Sequence, residues 1–438
     1  MDEILERGGL EVLVEAARER EDWFCAAGAV RGMCAAGEFG RAWTVVEPFA
    51  GSGWRPAVRV GIDVLLRWNH VEQALELAHP GGQQKSGDVW RDYAEALVRT
   101  GRVDDAIGVL VPFLRDRRVL RGLVEMTDGQ GRDGRVLEVL APVAEDFRRD
   151  PMRCGVGDLW EVLPAQARVL ERSGRVDEAV RLLGADVAAR RYGPENTVEF
   201  YAELLARQGR IEELRDLATG TRKSTAAVRY VKALESLGRA GEAESYLRGL
   251  IASRYPGWYV GALVDLLIRQ GRFDDAIEAG RHTFDDLYDG NLLQSTIVLL
   301  AEQGQYDKAI ALTEGCGPEF LAESEAWLRS NRWWLMGEAG RAREAITEIE
   351  ALPAAEVDDR ELTIAWLLAQ DGRVEQAIAR LRPVPGKRAA TDLAELLIRQ
   401  TCFAEAVAVI PGVAAQREEE RRFWTDRPDG TEGEGSNR

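Results

Sequence analysis

Adjacent carboxylates recur throughout the sequence and are the side chains most able to do chemistry. Asp104-Asp105 and Asp274-Asp275 are two examples. Paired carboxylates can act as general acid and base, or hold a divalent cation. These pairs, however, occur at the same position of a short sequence motif that the chain repeats. A single catalytic centre would need such a pair only once. We therefore interpret them as groups that stabilise helix N-termini, where negative charge suits the exposed N–H groups.

The histidines and cysteines form no constellation typical of an enzyme. There are three histidines and five cysteines, with no Cys-x-x-Cys pair. The stretch 129–134 fits Gly-x-Gly-x-x-Gly by letter, but it has no preceding strand and falls on a repeat turn. We predict no catalytic residue, no cofactor and no metal site, hence a non-enzymatic protein. The cysteines are expected to be reduced, buried and structural.

The repeated phrase is Gly-Arg-x-Asp/Glu-Asp/Glu-Ala, and it occurs about a dozen times. The clearest copies begin at Gly101, Gly174 and Gly271. Looser copies begin at Gly37, Asn69, Gly134, Gly209, Gly238, Gly304, Gly340, Gly372 and Thr401. A period of roughly 34 residues is typical of stacked helical hairpins.

Each unit predicts two helices joined at the glycine. The glycine ends the first helix, because a helix often ends with a residue in the left-handed conformation and glycine adopts that conformation at the least steric cost. The alanine after the two acids lets the second helix approach the first closely, as does a small residue seven positions before the glycine. Prolines eleven residues after a unit start are expected to kink or shorten the second helix. They are Pro48, Pro80, Pro112 and Pro383.

Gly101 and Ala106, with the matching pairs in most units, resemble the tetratricopeptide repeat, and the resemblance spans roughly residues 22–416. It implies an all-α fold, a right-handed α-solenoid of about twelve helix–turn–helix repeats. Arrays with this phrase are common in actinobacterial proteins. The family's two-carboxylate clamp uses Lys and Asn six residues before the glycine. No Asn stands there, so that ligand class is not transferred.

The repeats also predict the organisation of the chain. Residues 1–21 are expected to form an N-terminal capping helix and residues 22–411 the repeat array, with possible bends near 150 and 317 where the spacing lengthens. Residues 412–424 are expected to form a C-terminal capping helix. Residues 425–438 have the composition of a disordered acidic tail.

The charge balance argues against two classes of partner. Lys plus Arg is 57 and Asp plus Glu is 74, so the net charge is −17. Coating nucleic acid requires a concentrated basic face, so we predict no nucleic-acid partner and no anionic membrane surface. No signal peptide and no apolar run long enough to span a bilayer is evident, which favours a cytoplasmic location.

Aromatic residues late in the array are the candidate binding residues. Trp258, Trp327, Trp334 and Trp366 lie on predicted first helices, at positions that line the concave face in the family. Two interpretations stay open: packing between repeats, or a hot-spot patch for a partner peptide or helix. Arg59 and Arg91, on early first helices, either pair with neighbouring acids or form a groove for an anionic peptide.

The leading hypothesis is a scaffold that binds a protein or peptide partner along its concave face. The alternative is a regulatory sensor, in which the array binds a peptide or small ligand and changes shape. Small-angle scattering with and without ligand would separate the two.

Overall fold

The computed structural model describes residues 1–81, 86–149, 161–189, 195–220, 224–253, 256–281, 290–314 and 318–410. Within these ranges the regular structure is helical, with short 3₁₀ turns and no strand, so the predicted all-α class is confirmed. The described residues contain no helix that is both long and apolar enough to cross a membrane. The predicted C-terminal cap and acidic tail lie outside the described residues.

The described ranges contain twenty-six α-helices, which follow one another in chain order. The first thirteen are α1 (Asp2–Glu6), α2 (Leu10–Arg20), α3 (Trp23–Ala35), α4 (Phe39–Gly51), α5 (Arg55–Arg67), α6 (Val71–Ala78), α7 (Gly87–Arg99), α8 (Val103–Leu110), α9 (Arg117–Met126), α10 (Asp133–Arg149), α11 (Val162–Arg172), α12 (Val176–Ala189) and α13 (Glu195–Arg207). The others are α14 (Ile211–Gly220), α15 (Ser224–Ser236), α16 (Ala240–Ser253), α17 (Pro256–Arg269), α18 (Phe273–Gly280), α19 (Gly290–Glu302), α20 (Tyr306–Glu314), α21 (Pro318–Glu338), α22 (Ala342–Ala351), α23 (Arg360–Gln370), α24 (Val374–Leu381), α25 (Lys387–Arg399) and α26 (Phe403–Val409).

From α3 onward the helices of the described residues form twelve successive pairs, in agreement with the predicted number of about twelve repeats. We call the odd-numbered helix of each pair the first helix and the even-numbered one the second. The chain divides into two compact units, residues 1–60 with 300–438 and residues 61–299. They are called the terminal unit and the central unit below.

The turns explain why the phrase begins with glycine. Gly101, Gly174 and Gly271 have φ of 82°, 77° and 73°, a region in which an L side chain is strained. Asn69 and Thr401 hold the same conformation at φ 63° and 61°, where no glycine is present. The anchor placed at Gly134 was wrong by three residues. Gly131 holds the left-handed turn (φ 67°), and Gly134 lies inside α10.

Alanine packing between the two helices of a unit is confirmed. Ala106, Ala179 and Ala276, which follow the acids, are completely buried. The small residues seven positions before the turn are also buried: Ala94, Ala167, Ala202, Ala365 and Ala394. A larger side chain at either place would have to push two helices apart, at a cost of about 1–3 kcal/mol.

The prolines act as predicted in three of four places. Helices α6 and α24 end before Pro80 and Pro383, and α8 passes into a 3₁₀ turn that contains Pro112. Pro48 instead lies inside α4, which continues to Gly51. Proline removes one backbone donor and crowds the preceding turn, so it shortens a helix only where packing does not hold that helix together.

The N-terminal segment holds two helices where a single capping helix was predicted. Gly8, with φ 84°, separates α1 from α2, so residues 1–20 form a shortened repeat. Within the terminal unit α2 packs against the last pair, and the Arg20 guanidinium donates to the carbonyl oxygens of Val407 and Ile410. The apolar end of α2 is therefore covered by both the next helix and the last one.

Candidate functional site

Three successive first helices of the terminal unit, α21, α23 and α25, line a cleft of about 550 Å³. We call it the tryptophan cleft. Its lining residues are Ser330, Trp334, Asp358, Asp359, Leu362, Thr363, Trp366, Ala369, Gln370, Leu381, Arg388, Asp392, Glu395, Leu396 and Arg399. On each helix these positions recur every three or four residues, so each helix presents one face to the cleft.

Trp334 reaches the cleft because the chain places two tryptophans side by side on α21. Trp333 is buried, and its indole Nε1 donates to Glu348 at 3.3 Å. Trp334 points to the other side of the helix and keeps 36% of its surface exposed. One tryptophan therefore holds α21 to α22, while its neighbour leaves an apolar ring partly in water.

Trp366 has two roles at once. It lines the cleft, and the end of its ring packs on Gly337 of α21. A Cβ added at Gly337 would lie 2.4 Å from Cζ3 of that ring, so only glycine allows the contact. Trp366 therefore packs between repeats and also lines the cleft, so the two interpretations of the late tryptophans do not exclude each other at this residue.

The charged groups of the cleft are unevenly matched. Arg388 pairs with Asp359 at 2.5 Å, and Arg399 pairs with Glu395 at 2.7 Å. Asp392 is half-buried on α25, and burial raises the pKa of its carboxyl above the ordinary value, with Arg388 lowering it in part. The cleft therefore has more carboxylates than guanidinium groups. The described lining residues include no histidine, cysteine or lysine, and the titratable side chains of the cleft are carboxylates and guanidinium groups.

The other candidate residues do not join this cleft. Trp327 lies on α21 but is not among the lining residues. Trp258 lies on α17 in the central unit, and its side chain is outside the described residues. Arg59 is exposed on α5 in the terminal unit, whereas Arg91 lies on α7 in the central unit, its stem packed on Gly122. Among the candidate residues whose side chains are described, Trp334 and Trp366 are the two that line one cleft.

The repeated carboxylates form ion pairs at the turns. The arginine after the turn glycine bonds the second acid, as in Arg102–Asp105 at 2.8 Å. The first acid can reach the next repeat, as in Asp104–Arg132 at 3.1 Å. The same bond lowers the pKa of acids such as Glu178, which Arg175 holds. Among the described residues no group of three or more histidine, cysteine or acidic side chains could hold a metal ion.

A second recurrent arginine, two residues before the turn, also pairs with acids. Arg207 contacts Glu171 of the preceding repeat at 2.7 Å, and Arg172 contacts Asp133 at 2.8 Å. The regular recurrence of this arginine is therefore explained by stabilisation of the array.

An apolar groove between α2 and α4 was missed by sequence reasoning. It measures about 640 Å³ and includes Val14, Pro48 and Phe49. Trp23 packs on Phe49, with ring centroids 5.6 Å apart, and also on Trp54, which is 45% exposed. The aromatic residues between positions 23 and 54 could have predicted this groove, but only the tryptophans late in the array were selected from the sequence.

The cysteine prediction is only partly correct. Cys25 is buried, and burial beside Asp22 raises the pKa of its thiol to about 11, as expected for an inert structural thiol. Cys34 is half-buried, but Cys402 is exposed at the turn before α26. Cys154 and Cys316 lie outside the described residues.

No protein-family model matches this chain, and no curated protein sequence matches it. Several solved structures are similar. The Naa15/Naa10 complex bound to HypK-THB is 15% identical, covering 91% of this chain and 71% of that chain, with a TM-score of 0.37. The pentatricopeptide repeat protein PPR10 from maize is 14% identical over 97% and 71%, with a TM-score of 0.34. The APC/C hetero-tetramer Cut9–Hcn1 is 11% identical over 95% and 93%, with a TM-score of 0.25.

These likenesses concern the fold alone. The repeated helical hairpins described above are themselves what shows that the chain is a helical-repeat solenoid.

The prediction that the protein has no nucleic-acid partner is wrong, because the net charge does not exclude this class of partner. PPR10 has also been solved with an 18-nt psaJ RNA element, and that structure is similar to this chain at 14% identity over 95% of this chain and 73% of that chain, with a TM-score of 0.31. Proteins similar in fold therefore include one bound to RNA. The net charge of −17 is a sum over the whole chain, whereas recognition depends on local surface, so the sum does not exclude this class.

Proposed function

We propose that the protein is a non-enzymatic cytoplasmic scaffold, and that a protein or peptide partner binds in the tryptophan cleft. The observation that carries the proposal is the convergence of Trp334 and Trp366 from separate repeats on one cleft with unbalanced charge. We place the cleft on the concave face of the array, because the first helices line that face in tetratricopeptide proteins.

The partial exposure of Trp334 has a physical cost that binding would remove. A tryptophan buries on the order of 150–250 Å² when it is fully covered, and its N–H can bond a polar partner at the same time. Such residues are frequent among the few that dominate binding energy. The cleft is formed by helices that pack in the free protein, so little conformational entropy would be lost on binding.

The test is an affinity pull-down from native cell lysate with the full chain and two single variants, followed by mass spectrometry. Trp334→Ala removes the exposed ring of the cleft. Trp68→Ala is the matched control, because Trp68 is 37% exposed and stacks on His70, with centroids 4.0 Å apart, away from the cleft lining. We expect wild type and the control to retain the same partner, and Trp334→Ala to lose it while its helical content is unchanged.

Two results would contradict the proposal. A partner that all three proteins retain would bind elsewhere on the chain. If nuclease treatment of the lysate removes the Trp334-dependent partner, nucleic acid occupies the cleft, because exposed aromatic rings also stack on bases.

A further inference from the structure

We propose that the tryptophan cleft recognises a basic side chain of the partner, an arginine in particular, within a segment that also carries an apolar residue. This inference rests on the proposed function and specifies the chemistry of the ligand.

The charges that line the cleft support a cationic occupant. Four carboxylates line it, from Asp358, Asp359, Asp392 and Glu395, against the guanidinium groups of Arg388 and Arg399. Each guanidinium is already paired with one lining carboxylate. Two carboxylates are therefore left in excess, and an incoming acidic segment would meet repulsion.

Asp392 is the most informative of these groups. Its carboxylate is half-buried and makes no ion pair or side-chain hydrogen bond to another described residue. The guanidinium that partly lowers its pKa, that of Arg388, forms its ion pair with Asp359. A carboxylate taken partly out of water without a partner is unfavourable for folding. A cation brought by a ligand would supply the missing partner.

The two indoles favour the same kind of ligand. The face of a tryptophan ring carries negative potential and attracts cations, arginine more often than lysine. A guanidinium is planar, so it can stack on an indole and still donate two bonds to a carboxylate. Leu362 and Leu396 supply apolar surface within the same cleft for the neighbouring residue.

The test uses the full chain and four acetylated, amidated peptides of Gly and Ser that differ only at the centre: Arg-Leu, Lys-Leu, citrulline-Leu and Glu-Leu. Citrulline has the shape of arginine without its charge. Isothermal titration calorimetry gives the affinities, and indole chemical shifts report on Trp334. We expect the Arg-Leu peptide to bind about tenfold more tightly than citrulline-Leu, with Lys-Leu between them and Glu-Leu not binding.

Asp392→Asn should remove most of the preference for arginine over citrulline. Glu278→Gln, an exposed carboxylate on α18 of the central unit, is the matched control and should leave the preference unchanged. In the wild-type protein the preference for arginine over citrulline should also fall as the pH is lowered through the raised pKa of Asp392, because the carboxylate becomes protonated. The other charged groups that face the cleft are Arg388, Asp358, Asp359, Glu395 and Arg399.

The outcomes separate the two proposals. Equal binding of the Arg-Leu and citrulline-Leu peptides, or no binding of any peptide, overturns the cationic ligand, even if the pull-down still depends on Trp334. Arginine-selective binding without a Trp334-dependent partner supports the cation site and contradicts the scaffold. Self-association of the protein that Trp334→Ala abolishes would assign the cleft to a second copy and overturn the inference.

Discussion

Two pairs of repeats, one pair in each unit, carry opposite chemistry at the same position, six residues before the turn. In the central unit it holds Glu203 and Asp265, which pair with Arg229 (2.5 Å) and Arg269. In the terminal unit it holds Trp334 and Trp366. The backbone position is equivalent, but in one unit the side chains satisfy each other, and in the other they leave a cleft. A regular repeat can therefore present either paired charges or a cleft wall at one and the same backbone position.

Further ion pairs of the central unit join neighbouring repeats. Arg269 also contacts Glu235 of the preceding repeat at 2.8 Å, and Arg207 contacts Glu171 at 2.7 Å. Burial raises the pKa of Glu171, but hydrogen bonds from Arg207 and Gln208 outweigh it, and the net pKa is lowered. In the cleft, burial of Asp392 raises the pKa without such compensation. The Glu171 carboxylate is thus stabilised in its charged form by its neighbours, whereas the Asp392 carboxylate is not.

The largest expected effect distinguishes the neighbouring tryptophans of α21. Trp333→Ala should lower the free energy of unfolding by about 3–5 kcal/mol, because it empties a buried site and removes the donor to Glu348. Trp334→Ala should lower it clearly less, since that ring is partly exposed and leaves no closed cavity when it is removed. Chemical denaturation with circular dichroism measures both. Equal losses would show that Trp334 is a packing residue, and the contrast between the units would disappear.

Glycine substitutions probe how closely the first helices approach each other. Gly337→Ala should cost about 1–3 kcal/mol, because the new methyl group meets the rigid ring of Trp366. Gly122→Ala in the central unit should cost less, since the atom it meets, Cδ of Arg91 at 2.6 Å, belongs to a flexible stem.

Gly261→Ala on α17 is the matched control. Its Cβ would make only an ordinary contact at 3.5 Å, so the variant should gain up to ~1 kcal/mol from helix propensity. Thermal unfolding of the three variants ranks them. A neutral Gly337→Ala would mean that the Trp366 ring shifts freely and does not hold α21 to α23.

Arg269→Gln should cost about 0.5–1 kcal/mol, because its ion pairs with Glu235 and Asp265 are partly exposed. The loss should shrink at high salt, which screens such pairs. Arg399→Gln in the cleft, paired with Glu395 alone, is the comparison and should cost less. Urea titrations at low and high salt measure the difference, and a salt-independent loss would indicate that packing of the arginine stem dominates.

The smallest expected effect is a difference in pH dependence. The pKa of Glu171 is lowered by folding, so its stabilisation is present above the ordinary pKa of 4.5 and is lost as pH falls below it. The pKa of Asp392 is raised, so its ionisation opposes folding at neutral pH, and this penalty disappears as pH falls toward the ordinary value of 3.8.

Melting temperatures between pH 3 and pH 7 would test these signs. Glu171→Gln should lower Tm at neutral pH and approach wild type in acid. Asp392→Asn should raise Tm slightly at neutral pH and lose that advantage in acid. A lower Tm for Asp392→Asn at neutral pH would show that the carboxylate has a stabilising partner, which contradicts its proposed role in the cleft.

Much of the fold could be predicted from the sequence, because each repeat contains the residues that form its own turn and its own helix crossing. Gly101 and Ala106 predict a left-handed turn and a close helix crossing, and both are found. The register was misplaced at Gly134, because Val136 occupies the place where the phrase has alanine, so only the backbone shows that Gly131 forms the turn. Local signals of this kind fail where one repeat deviates from the phrase.

The candidate site was accessible only in part. Trp334 and Trp366 were singled out by their position in the repeat, and they do line one cleft. Trp327, on the same helix as Trp334, does not join it. Asp392 was not selected, because nothing in its sequence neighbourhood distinguishes it from the many acids that are paired.

By itself the sequence determined the repeat length, the turn at each glycine and the small residues that let the helices cross, because these depend on contacts within about one unit. The tertiary structure alone decided which charges are satisfied. Arg388 and Asp359 come from different repeats and pair with each other, while Asp392, in the same cleft as the two indoles, has no ion-pair partner among the described residues. Satisfaction of a charge depends on the distance between side chains of neighbouring repeats, and that distance is set by how the helices stack, not by the order of residues along the chain.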